Sequence, residues 1–212
     1  ELNSILENKL VEDNIRHYKR PDSSRHLSDD IDTLVVDSLI DSVSSNFKIS
    51  QDFYKFKAKL LGLKKIPYYW RNVSIGQFDK SFSPTLTINL LDQVFNKLDP
   101  LFSSLFKDFL SNGQIDFLSK RGKSDGAFCA GGLLSSKSFI LLNHNNKLRD
   151  VTTLAHEMGH AINNELMRTS QNGLNFDTSL AIAEVASTFF EDFVLDYIAS
   201  TLTSEERFSL LM

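Results

Sequence analysis

The chain has one cysteine, Cys129, among its 212 residues, so no disulfide can close within it. That usage is the pattern of a reducing compartment, and a cytoplasmic protein is expected. No apolar run approaches the roughly 18 residues that a membrane-spanning helix needs. The opening Glu1-Leu2-Asn3 has no initiator Met and no signal-peptide pattern. Basic residues form no block and the net charge is −4. Neither a nucleic-acid nor an anionic-membrane footprint is therefore expected. Internal repeats and low-complexity segments are also missing. What is there is ordinary for a globular chain, with 42% hydrophobic and 24% charged residues. Seventeen phenylalanines promise a large aromatic core. The chain opens without Met and stops inside the apolar Leu210-Leu211-Met212, so a piece of a longer protein, truncated at both ends, is expected.

Helical spacing dominates. It is weak over Leu2, Ile5, Leu6, Leu10 and Val11, and residues 17–30, with Pro21, read as a connection. Leu34, Val35, Leu39 and Val43 recur every three to four residues, which predicts a helix from near Asp30. Ser50-Gln51-Asp52 looks like another helix start, with Gly62 as its stop. Residues 63–82 read as a loop. Ser83-Pro84 pairs a cap residue with proline at the first helical position, and a second helix follows Asp99-Pro100. Residues 115–119 are expected to extend that helical packing. A small two-stranded piece is predicted at about 127–131 and 138–143. One helix is expected from near Asp150 and a last long one over about 177–200.

The helix from Asp150 carries His156-Glu157-Met158-Gly159-His160, an H-E-x-x-H motif. With five His and nine Glu in the chain, that pattern is expected about 0.005 times at random, so chance is a poor account of it. Residues i and i+4 lie one above the other on a helix, so both imidazoles can converge on one zinc ion. Glu157, about 100° round the helix, can reach a water there and act as general base. Val151, Leu154, Met158, Ile162 and Leu166 form an apolar stripe nearly opposite the histidines. Thr153, Asn163 and Met167 share the histidine face, which suits a cleft better than a Lys- and Glu-rich solvated surface would. Gly159 leaves room for a close backbone approach.

A catalytic zinc needs a third protein ligand from a separate element. Glu184 is the leading candidate, with Asp177 and Glu165 as alternatives. Glu184, Thr188 and Glu191 fall on one side of the last helix, and Ile182, Val185, Ala186, Phe189 and Phe193 form its expected buried side. Glu191 is either an acceptor that holds a ligand imidazole by its other N–H or a surface charge. His144, after the second strand, is a substrate-contact candidate, with an exposed loop histidine as the other reading. His17 and His26 receive no role. Cys129, in an apolar run, reads as a small buried side chain.

The stretch Thr153-Leu154-Ala155-His156-Glu157-Met158-Gly159-His160-Ala161 resembles the zinc motif of the M3 peptidases, specifically the oligoendopeptidase F group. Gly122-Lys123-Ser124-Asp125-Gly126-Ala127-Phe128-Cys129 is similar to the family's G-K-x-x-G-A-[FY] segment. Ile140-Leu141-Leu142-Asn143 looks like its strand before the metal helix, and Ala183-Glu184-Val185-Ala186-Ser187-Thr188-Phe189 like the block with the third ligand. Phe56-Lys57-Ala58-Lys59-Leu60-Leu61-Gly62-Leu63 is similar to an upstream helix of the family. The resemblance runs over about residues 30–200, in order. It departs at His144, where the family usually has another aromatic, at Lys137-Ser138, and at Trp70.

The resemblance implies a mainly α fold, a zincin-like helical metallopeptidase catalytic domain with the small sheet beside the H-E-x-x-H helix. Residues 1–212 would then be part of that domain, with a helical subregion at 1–82 and a zinc-motif subregion at 83–212. It implies one Zn2+ per chain held by His156, His160 and Glu184, and hydrolysis of short peptides. An edge strand would hold the peptide backbone through Ala127, Phe128, Cys129, Ala130 and Gly131. The family's His and Tyr groups that steady the tetrahedral intermediate have no matching segment in this chain. The rival expectation is a catalytically incomplete peptide-binding or interaction fragment with a structural or vestigial zinc site.

Overall fold

Helix starts follow local chemistry. The Ser83 hydroxyl accepts from the Leu86 N–H at 3.3 Å and Pro84 opens α5 (Pro84–Leu98). Asp99 does the same for α6 (Pro100–Ser111), accepting from the Leu101 N–H at 2.8 Å. The computed structural model describes residues 1–76 and 80–211. The chain divides into two compact units, Glu1–Ile75 and Gly76–Met212. Among the described residues no helix is long and apolar enough to cross a membrane.

The first unit holds α1 (Leu2–Ile15), α2 (Ser23–Asp29), α3 (Thr33–Ser45) and α4 (Phe47–Leu60). The segment expected as a connection thus contains a helix. At seven residues α2 is too short to declare itself by periodicity. α4 begins at Phe47 rather than near Ser50, because only Asn46 separates it from α3 and neither Pro nor Gly interrupts the run. Residues 63–76 are irregular apart from a 3-10 turn at Tyr68–Trp70, and 77–79 of the expected loop lie outside the described residues. Among the described residues of this unit only Asp13, His26, Lys57 and Ala58 are buried. Its ties are largely polar. Arg20 reaches Asp37 at 2.8 Å and Asp22 at 2.7 Å, and His26 Nδ1 lies 3.0 Å from the Thr33 hydroxyl.

The second unit carries α5, α6, β1 (Ile115–Leu118), β2 (Phe128–Ala130), β3 (Phe139–His144), α7 (Leu148–Ser170), α8 (Leu180–Ser200) and α9 (Ser204–Leu211). The sheet has three strands, not two, in the order β1-β3-β2. β1 pairs parallel with β3, with a register irregularity between Asp116 and Leu118, and β2 pairs antiparallel with it. The expectation that 115–119 extends a helix is therefore corrected. Four residues are too few to separate a strand from a helix by pattern, and tertiary pairing decides the matter. The buried Gln114 starts it, its carbonyl accepting from the Ile140 N–H and its amide donating to the Ser138 carbonyl, both at 2.8 Å.

One core joins α5, α6, β3, α7 and α8. The predicted stripe of α7 is inside it, with Val151, Leu154, Met158 and Ile162 all buried. The predicted stripe of α8 is not. Ile182 and Val185 are 60% and 65% exposed, while Ser187, Phe190, Val194 and Ile198 face inward. α8 is apolar on both sides, so a helical wheel cannot choose between them. Phe95 sits at the junction, edge-on to Phe106 of α6 at 5.4 Å and to Phe190 of α8 at 5.0 Å. Truncating Phe95 to Ala should cost about 3–5 kcal/mol, read as a lower urea midpoint with an unchanged m-value.

Candidate metal centre

α7 places His156 and His160 one turn apart on its cleft side, ring centroids 5.0 Å apart and nearly perpendicular. α8 crosses α7 at Gly159. A Cβ built at that glycine would lie 2.6 Å from the Ala186 carbonyl oxygen and 2.6 Å from Ser187 Cα. Only glycine permits this backbone-to-backbone approach. It carries Glu184 to the histidines, with Oε2 at 3.4 Å from His156 Nε2 and 3.7 Å from His160 Nε2. The convergent ligand atoms of these three residues all lie within 4.8 Å of one another. Neither alternative third ligand joins them among the described residues. Glu165 binds Arg168 at 3.2 Å, and Asp177 accepts from the Thr178 N–H at 2.9 Å.

The surroundings orient each of the three. Glu191 Oε2 lies 3.2 Å from His156 Nδ1. If Nδ1–H is donated there, the Nε2 lone pair faces the Glu184 carboxylate, and two acceptors so close repel unless a cation lies between them. His160 has a backbone hydrogen bond to Ala183, while burial pulls its pKa down. The Ser187 hydroxyl donates to Glu184 Oε2 at 2.7 Å. Two imidazoles and one carboxylate, each held by a second partner, fit a divalent ion of zinc's type. The histidine side chains remain 27% and 20% exposed, which leaves room for a further ligand.

Glu157 is only 8% exposed and lines a cleft of about 450 Å3. Burial raises its carboxyl pKa, against the opposing pull of His156 and a backbone hydrogen bond from Cys129. Gly126, Ala127, Asn143, Arg149 and Thr153 line the same cleft. Asp150 also lines it, but its carboxylate is engaged by the Asn145 and Lys147 N–H groups at 2.7 and 2.9 Å. Of the candidate substrate residues, Ala127 faces the cleft, and Phe128, Cys129 and Ala130 form the edge strand β2. Gly131 packs beside Asn164 and Ser138. The Cys129 thiol is pushed up to about 12, first by burial and then by Glu157 and Glu165, so it is held as an unreactive thiol.

His144 needs correcting under both of its readings. It is the last residue of β3, 5% exposed, with its ring 4.8 Å from that of Phe117. Nδ1 accepts from the Asn146 N–H at 3.3 Å and Nε2 is 3.1 Å from the Thr87 hydroxyl. Both nitrogens are therefore used inside the fold, beside the tilted Phe117 ring. Ser187 and Arg149 were not anticipated. Ser187 sits three residues after Glu184, a helical spacing that could have revealed it. Arg149 lies two turns before His156, where distance along the chain hid the shared cleft.

The family model described as peptidase family M3 matches residues 2–210. The chain is 26% identical over 198 residues to the group B oligopeptidase PepB of Streptococcus agalactiae, covering 93% of this chain and 33% of that protein. It is 28% identical over 198 residues to the chromosomal oligoendopeptidase F of Lactococcus lactis subsp. cremoris, with the same coverages. The chain thus spans about a third of the length of these curated relatives. A solved chain from Chlamydophila abortus described as a peptidase superposes with a TM-score of 0.79 at 24% identity, covering 99% of this chain and 35% of that one. PZ peptidase A with inhibitor 2 gives 0.61 at 19%, over 75% and 29%. At these identities the structural likenesses speak for the fold alone.

Two outcomes follow from the geometry. Gly159→Ala should destabilise by about 1–3 kcal/mol through overpacking, although Ala is the better helix former by about 1 kcal/mol; urea unfolding reads the sign. Burial lowers the His144 pKa below its ordinary 6.5. As pH falls below that value the unfolded chain binds the proton first, so stability flat above it should drop towards the folded pKa. His144→Phe should flatten that slope between pH 7.5 and 5.5 in the same urea assay.

Proposed function

The chain belongs to peptidase family M3, and from that membership we propose that a protein carrying it hydrolyses short peptides at a zinc centre held by His156, His160 and Glu184. The observation that carries this reading is the convergence of His156 Nε2, His160 Nε2 and Glu184 Oε2 beside the buried Glu157. Zinc, when bound, supplies Lewis acidity to a scissile carbonyl and lowers the pKa of an attacking water. Glu157 takes that water's proton and delivers it to the departing amine. Glu191 and the Ala183 backbone steady the two imidazoles. Main-chain groups of residues 127–131, on the edge strand, pair with an extended peptide.

Short peptides as substrates are supported by the names of the relatives, an oligopeptidase and oligoendopeptidases. Residues 1–212 are read as part of one catalytic domain, with one zinc ion per chain. A cytoplasmic location accords with the single cysteine.

The test uses the full-length protein. Zinc should be found by metal analysis, a chelator should abolish cleavage of a quenched peptide, and zinc should restore it. Glu157→Gln should keep the metal and lower kcat by about 10²–10⁴-fold. Cleavage that survives in that variant with its metal retained sinks the role of Glu157. Zinc without turnover in the unaltered protein favours a peptide-binding role over a peptidase.

A further inference from the structure

Because β3 lies between β1 and β2, the segment from 119 to 127 must cross the end of the central strand to join the two edges. That is a span of two strand spacings, about 9.6 Å. A loop of this kind has few apolar contacts to order it, yet its far end, Gly126 and Ala127, forms one wall of the cleft that holds His156 and Glu157. Something has to fix where it lands.

Two side chains outside the metal centre do so. Lys123 lies mid-loop and its side chain is 2% exposed. Its ammonium donates to the carbonyls of Asp116 at 2.8 Å and Leu118 at 2.9 Å, and meets Asp116 Oδ1 at 3.2 Å. In a regular strand carbonyls two residues apart lie about 6.6 Å from one another, too far for one ammonium to take both, and they meet it at the register irregularity between Asp116 and Leu118. All three of its N–H groups are engaged. From β3, the Asn143 amide donates to the carbonyls of Ser124 at 2.8 Å and Gly126 at 3.1 Å. Gly126, at φ +80°, supplies the left-handed turn that follows.

We propose that Lys123 and Asn143 are positioning residues: together they pin the β1-to-β2 crossover and thereby set the Gly126–Ala127 wall against which a peptide binds. Lys123 touches neither the ligand set nor Glu157, so its effect reaches a substrate only through the loop. The inference rests on the peptide-cleft reading above, and the measurement is arranged to separate the two.

Lys123→Met keeps the aliphatic stem and removes the three donors. Asn143→Asp keeps the shape and sets an acceptor against two carbonyls. In the zinc-loaded full-length protein carrying Glu157→Gln, the Kd of a short fluorescein-labelled peptide is read by anisotropy. In the Glu157 protein, kcat and KM are read with the quenched form of the same peptide. Each single change should weaken binding about tenfold, the scale of a lost hydrogen bond, to a charged group for Lys123 and between neutral groups for Asn143. For Lys123→Met, zinc content should be unchanged and kcat should stay within about twofold, since uniform binding alone is lost. The double variant should be less than multiplicative, because both act through one loop.

An unchanged Kd overturns the proposal. So does a joint fall of kcat, zinc content and melting temperature, which marks Lys123 as a general structural lysine. Failure of the peptide to bind even with Lys123 and Asn143 intact overturns it as well. Absence of turnover with Kd intact overturns the peptidase reading only, and the anisotropy series still decides the crossover.

Discussion

The site depends first on two helix backbones meeting at Gly159. The residue between the two histidines of the motif is also the point where α8 rests on α7. Glu184 owes its place to that contact and not to its own side chain's reach. The carboxylate comes within 3.4 Å of one imidazole and 3.7 Å of the other because Ala186 and Ser187 seat their backbone on a residue without a Cβ. A close-packed interior transmits such a displacement rather than absorbing it. The convergence of His156, His160 and Glu184 and the packing of α7 on α8 are therefore one constraint.

Around that contact the polar groups are arranged in pairs of duties. Glu191 and Ala183 occupy the outer faces of the imidazoles, and Ser187 occupies Glu184. Asp150 caps the start of α7 with the Asn145 and Lys147 N–H groups, at the mouth of the same cleft. His144, by contrast, is engaged by Thr87, Asn146 and the Phe117 ring. The distinction between histidines is one of what surrounds them, since composition treats all alike.

What could be read in advance follows from the reach of the signals. The α7 stripe was legible because its two faces differ sharply, apolar against His, Thr and Asn. The caps at Ser83 and Asp99 were legible because they are local chemistry. Ligand type and spacing pointed to Glu184, which lies 3.4 and 3.7 Å from the two imidazoles, and helical position pointed to Glu191, which lies 3.2 Å from His156 Nδ1. The buried face of α8 was misassigned because both faces are apolar, and the choice falls to Ser187, small enough to meet Gly159. β1 was missed because four residues carry no usable period and its partner lies more than twenty positions away. The role of His144 was missed because Thr87 and Phe117 reach it only through tertiary packing.

The division of the candidate ligands between α7 and α8 has a mechanical side. This chain cannot form an internal disulfide, and the segment from His160 to Glu184 is closed at its base by the noncovalent packing of α7 on α8. An ion gripped from both sides would serve as a cross-link there, reinforcing that closure and withdrawing conformations from the unfolded ensemble much as a sulfur bridge does. The metal would then be part of the protein's tensile structure, and holding the ion would be one of the ways this chain holds itself.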